Sequence, residues 1–104
     1  MSDAKLTYAE WNERDCRLRM LMILAEQTTQ AASSELLRYS LEAWHHDVEP
    51  IYLRRQADHL ARVGAVKITE TVDEAVFVAK LLQPGMDHLK GRSLLPQVLA
   101  NAVR

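Results

Sequence analysis

The sequence predicts a mainly α-helical domain that carries one small antiparallel β-hairpin. Three observations predict it. Apolar residues recur at spacings of three, four and seven along three segments ahead of Gly64. β-Branched residues then crowd into 65–69 and 75–79, a change of period that marks a pair of strands. Helix start and stop signals bracket each helical segment: a capping box, prolines at first-turn positions, and glycines just past the ends. The chain has 104 residues and 11.9 kDa, the size of one domain. Residues 1–104 form that domain, with a core over about 7–90 and a tail from 91.

The first helix opens at Thr7-Tyr8-Ala9-Glu10, where hydroxyl and carboxylate can each satisfy an orphan backbone donor. Trp11, Leu18, Leu21, Met22 and Ala25 share one face, and Met20, Ile23 and Leu24 make the second half apolar on the others. Apolarity on every side predicts burial against a second body, here a second subunit. Thr28 to Ala32 forms a weak break. Ser33-Ser34 offers an N-cap to a second helix, Glu35 to Trp44, with Leu37, Leu41 and Trp44 inward. His45-His46-Asp47 makes a polar, solvated turn, and Val48 plugs the core. Glu49 stands at the next N-cap and Pro50 at the first helical position, where its missing donor costs nothing. The third helix buries Leu53, Ala57 and Leu60 and ends at Gly64. Strands at 65–69 and 75–79 follow, joined by Glu70 to Glu74, without the Gly or Asn that a tight type I′ turn favours. A short last helix starts near Pro84 and stops at Gly91. The tail, with Leu94, Leu95, Val98 and Leu99, is expected either to lie on a partner or to form one more helix.

Composition excludes several classes of function. Thirteen Lys and Arg against 14 Asp and Glu leave a net charge of −1, unlike a protein that coats nucleic acid nonspecifically. The single Cys16 forbids an intrachain disulfide and suits a reducing compartment. The apolar run from Met20 to Ala25 is too short to cross a bilayer, and Met1-Ser2-Asp3-Ala4-Lys5 has no signal-peptide pattern. A cytoplasmic protein without membrane contact is the expectation. No two of the four histidines and Cys16 have metal-ligand spacing on a helix face, so no metal is expected. Neither a nucleophile elbow nor a Gly-rich phosphate loop is present, so neither catalytic residues nor a cofactor are expected.

The order of elements, with Val48, Leu53, Ala57, Leu60, Gly64 and Val66 at the core positions and Leu82-Gln83-Pro84-Gly85 after the hairpin, resembles the winged helix-turn-helix superfamily. Within it, Leu41-Glu42-Ala43-Trp44-His45-His46, Leu60-Ala61-Arg62-Val63-Gly64-Ala65-Val66 and Gly91-Arg92-Ser93-Leu94-Leu95-Pro96 are similar to the small ArsR-like winged-helix proteins of Mu-like phages and prophages. The resemblance implies three helices, a β-wing and a short C-terminal helix. It also implies a phage or prophage transcriptional regulator whose third helix enters the major groove of DNA.

On that reading Tyr52, Arg55, Gln56, His59 and Arg62 form the DNA face of the third helix. Arg55 and Gln56 read bases, Arg54 and Arg62 hold phosphates, and Lys67 and Lys80 serve the wing. Met20, Ile23, Leu24, Leu95, Val98 and Leu99 supply a homodimer interface. Two features weigh against DNA. Glu49 stands where the superfamily usually has Ser or Thr, and Glu70, Asp73 and Glu74 make the wing acidic. The alternative is an interaction module that keeps the fold and contacts a phage protein during assembly or genome packaging.

Overall fold

The computed structural model describes residues 5–101, apart from the side chain of Glu70. It is a small α+β domain. In chain order α1 spans Tyr8–Glu26, β1 Ala31–Ser33, α2 Ser34–Leu41, α3 Pro50–Arg62, β2 Val66–Asp73, β3 Val76–Leu81 and α4 Gln83–Leu89. A 3₁₀ turn, Glu42–Trp44, follows α2 and ends at His45 with φ of 63°. The sheet is antiparallel with order β1-β3-β2.

Each helix begins where local chemistry allows. The Thr7 hydroxyl accepts from Glu10 N at 3.1 Å while the Glu10 carboxylate accepts from Thr7 N at 2.9 Å, closing the capping box. The Ser33 hydroxyl accepts from Leu36 N, capping α2. Glu49 occupies the N-cap of α3 without a side-chain cap bond, and Pro50 follows it. Gly64 lets the chain leave α3 at φ of +81°, a conformation costly to any residue with a Cβ. Gly85 is required for a different reason: a Cβ there would meet the Ala65 carbonyl at 2.6 Å.

α1 is the central element and packs against α2, α3, α4, β1 and β3. Its many-sided apolarity therefore has an intrachain cause. Met20, Ile23 and Leu24 are buried in this chain's own core alongside Leu18, Leu21 and Cys16, which corrects the inference from apolarity to a second subunit. Trp11 and Trp44, expected as core anchors, are both partly exposed. The Arg19 guanidinium covers the Trp44 ring at 4.0 Å.

The sheet differs from the expectation in two respects. The weak break holds a third strand, β1, which pairs antiparallel with β3 in the register Ala31–Lys80, Ala32–Ala79 and Ser33–Val78. The hairpin strands also run longer than 65–69 and 75–79, and their turn is closed by a carboxylate. Asp73 Oδ1 accepts from Ala75 N at 2.7 Å and from Val76 N at 3.1 Å, supplying what a turn glycine or asparagine would otherwise supply. Val66, Phe77, Ala79 and Leu81 face the helices, while Lys67 pairs across the strands with Lys80 on the outer face.

Over its described residues, 91–101, the tail forms no helix, and Leu94 stays exposed. The tail folds back on its own chain, where Val98 is buried and Leu95 and Leu99 pack against the core. His88, fully buried, fastens it: Nε2 donates to Leu99 O at 2.8 Å and Nδ1 accepts from Leu95 N at 2.9 Å.

Candidate binding surface around helix α3

α3 presents Ile51, Arg55, Asp58 and Arg62 to solvent, a stripe at spacings of four, three and four. This is not the face expected from the sequence. Gln56 is buried, and its Oε1 accepts from Arg17 Nε at 2.7 Å. At 100° per residue Gln56 lies only about 40° from Leu60, so it belongs to the flank of the buried stripe. His59 is buried as well, with Nε2 at 3.5 Å from Pro96 O, under the returning tail. Burial and the nearby Arg17 lower its pKa from the ordinary 6.5.

The arginines divide by occupation. Arg54 is a strut: Nε donates to Asp58 at 2.9 Å, Nη1 reaches Glu74 O at 3.4 Å, and the guanidinium lies over Phe77. It ties the hairpin turn to α3 instead of standing free for a phosphate. Arg17 is held by Gln56 and by Gln97 O at 2.9 Å. Arg55 and Arg62 are exposed, Arg55 lying over the Tyr52 ring at 5.8 Å. They line a groove of about 330 Å³ with Arg17, Gln56 and His59, opposed by Glu13 and Asp58. Tyr52 is half-buried, and that burial raises its hydroxyl pKa. Lys67 and Lys80 sit on the outer face of the sheet, away from the helices.

The N-terminal end of α3 has acidic surroundings on two sides. Glu13, Asp47 and Glu49 line a cleft of about 560 Å³ between the start of α1 and the start of α3, together with Tyr8 and Tyr52. Asp73 and Glu74 stand at the hairpin turn, which Arg54 holds against the helix. Three apolar side chains of α3 and the hairpin are also exposed: Ile51 at 50%, Val72 at 82% and Val76 at 43%.

The turn leading into α3 is anchored from below. His46, expected on a solvated turn, is buried, and its Nε2 lies 2.8 Å from Asp15 Oδ2 of α1. Asp15, itself buried, has Arg19 Nε at 3.3 Å on its other oxygen. Asp15 lies in the charged first half of α1, next to Glu13, Arg14 and Arg17, so the sequence does not mark it as buried; once buried, its carboxylate needs these partners. Cys16, beside it, is sealed from solvent, and burial pushes its thiol up to about 12, which makes it unreactive.

Of the six residues expected at a dimer interface, Met20, Ile23, Leu24 and Val98 are buried within the chain, and Leu95 and Leu99 are half-buried. Among the described residues no group of three His, Cys, Asp or Glu could hold a metal ion, and no helix is long and apolar enough to cross a membrane. Comparison with known proteins gives no match to a family model, to a curated protein or to a solved structure.

Proposed function

We propose that this chain is a winged-helix domain that acts as a protein-interaction module, its contact surface built from the first half of α3 and the hairpin turn. The observation that carries the reading is the acid-framed apolar patch. Ile51 on α3 and Val72 and Val76 at the hairpin are exposed, Glu49 and Asp47 precede Ile51 in the chain, Asp73 and Glu74 stand between the two valines, and Arg54 ties the hairpin turn to α3. An apolar centre with a charged rim is how protein interfaces are composed. DNA would place its phosphates against those carboxylates, and two of the four residues expected to hold it are engaged within the chain, Gln56 by Arg17 and Arg54 by Asp58 and Glu74. A phage protein met during particle assembly or genome packaging is the kind of partner that the family resemblance suggests.

A second reading, transcriptional regulation through DNA, is favoured by one feature: Arg55 and Arg62 are exposed on the same face of α3. A photo-crosslinking residue at Ile51, with Lys67 on the outer sheet face as control, separates the two. The interaction reading expects a discrete protein adduct from position 51 in cells expressing the chain from its native locus, none from 67, and loss of the adduct in Glu49→Lys. A nuclease-sensitive adduct at 51 would overturn it in favour of DNA.

A further inference from the structure

We infer that the cleft between the start of α1 and the start of α3 receives a guanidinium or ammonium group from an Arg or Lys side chain of the partner. This inference deepens the interaction reading and rests on it.

The cleft measures about 560 Å³ and offers acceptors without donors of positive charge. Glu13, Asp47 and Glu49 line it, and among the described residues none of them has an ion-pair partner and no Lys or Arg lines the cleft. Glu49 stands at the N-cap of α3 but spends no side-chain bond on capping. The helix N-terminus contributes about half a positive charge, too little to neutralise three carboxylates.

An independent observation points the same way. His46 also lines the cleft, its side chain is 2% exposed, and its Nδ1 has no hydrogen-bond partner. With Nε2 donating to Asp15, Nδ1 of the neutral ring is an acceptor. A buried acceptor without a donor is a cost that an N–H-bearing ligand removes.

Two aromatic rings complete the site. Tyr8 and Tyr52 line the cleft, and cations are attracted to such faces. The neighbouring Arg17 is held elsewhere by Gln56 and Gln97, so it does not fill the cleft.

The test is an amide-shift titration of the full chain with capped arginine, capped lysine and capped citrulline, the last matching arginine in shape without its charge. Capped arginine or lysine is expected to produce saturable shifts at Asn12, Asp47, Glu49 and Tyr52, and citrulline none. Asp47→Asn and Glu49→Gln, both at exposed positions, should each weaken binding about two- to fivefold, and together about tenfold. Equal shifts from citrulline, the absence of saturable shifts, or unchanged affinity in the double variant would overturn the inference. Spermidine binding more tightly than a pentapeptide with one central Arg would overturn the assignment to a protein side chain. Failure here leaves the adduct at Ile51 in place, so the two readings fail separately.

Discussion

Replacing His46 by Ala removes the buried hydrogen bond that ties the turn before α3 to the central helix. The imidazole is 2% exposed and lies 2.8 Å from Asp15 Oδ2, so both partners are out of water. A hydrogen bond to a charged acceptor contributes about 1.5–3 kcal/mol. Asp15 would keep Arg19 at 3.3 Å, so the penalty of a wholly orphaned carboxylate, about 3–5 kcal/mol, is not reached. Together these give a loss of about 3 kcal/mol, which for a domain of this size lowers the melting temperature by roughly 12–24 °C. Urea unfolding followed by far-UV circular dichroism measures it. His46→Gln keeps an N–H donor and should recover at least about 1 kcal/mol. Asp47→Ala, one residue away but exposed, should stay within about 0.5 kcal/mol of the parent. A His46→Ala protein as stable as Asp47→Ala would refute the reasoning, because the buried pair would then contribute nothing.

Three further outcomes are expected. Leu60→Ala, at a fully buried site, should lose about 2–5 kcal/mol in the same unfolding experiment. Asp73→Asn keeps an acceptor for Ala75 and Val76, whereas Asp73→Ala should cost about 1 kcal/mol and speed amide exchange along β2 and β3. His59 has a folded-state pKa below its ordinary value, so the unfolded chain binds more protons and acid favours unfolding. Stability should be fully present above about pH 7 and fall as pH drops through 6.5, with His59→Gln flattening that part of the curve between pH 7.5 and 5.5.

The helices were legible because their signals are local. The capping box at Thr7–Glu10, Ser33 before α2, Pro50 in α3 and Gly64 after it each act within a few residues. Leu18, Leu21, Leu37, Leu41, Leu53, Leu60, Val66 and Phe77, the inward residues that periodicity selects, are all buried. What escaped depends on distant partners. β1 is three residues of Ala-Ala-Ser with no β propensity of its own, and it is a strand because β3 pairs with it. Apolarity around α1 meant many neighbours within one chain, which a helical wheel cannot separate from a second copy.

The candidate surface was legible in charge and not in geometry. The acidity of Glu49, Asp73 and Glu74 and the positive charge of Arg54, Arg55 and Arg62 can be read from the sequence, but not that Arg54 is the one tied to Asp58 and Glu74. That Gln56 turns inward depends on Arg17, 39 residues earlier, and that His59 is covered depends on Pro96. The cleft joins α1 to the α3 entrance, so Glu13, Tyr8 and Asp47 become neighbours only in the folded chain.

The central claim is that the exposed end of α3 is a protein contact and not a DNA reader. Fluorescence anisotropy of labelled duplexes spanning the chain's own coding region, at about 50 and 200 mM salt, tests it most directly. The account predicts no saturable binding tighter than about 1 μM at the lower salt, and no change on Arg55→Ala or Arg62→Ala. Submicromolar binding that falls steeply with salt, depends on sequence and is lost in those two variants would contradict it.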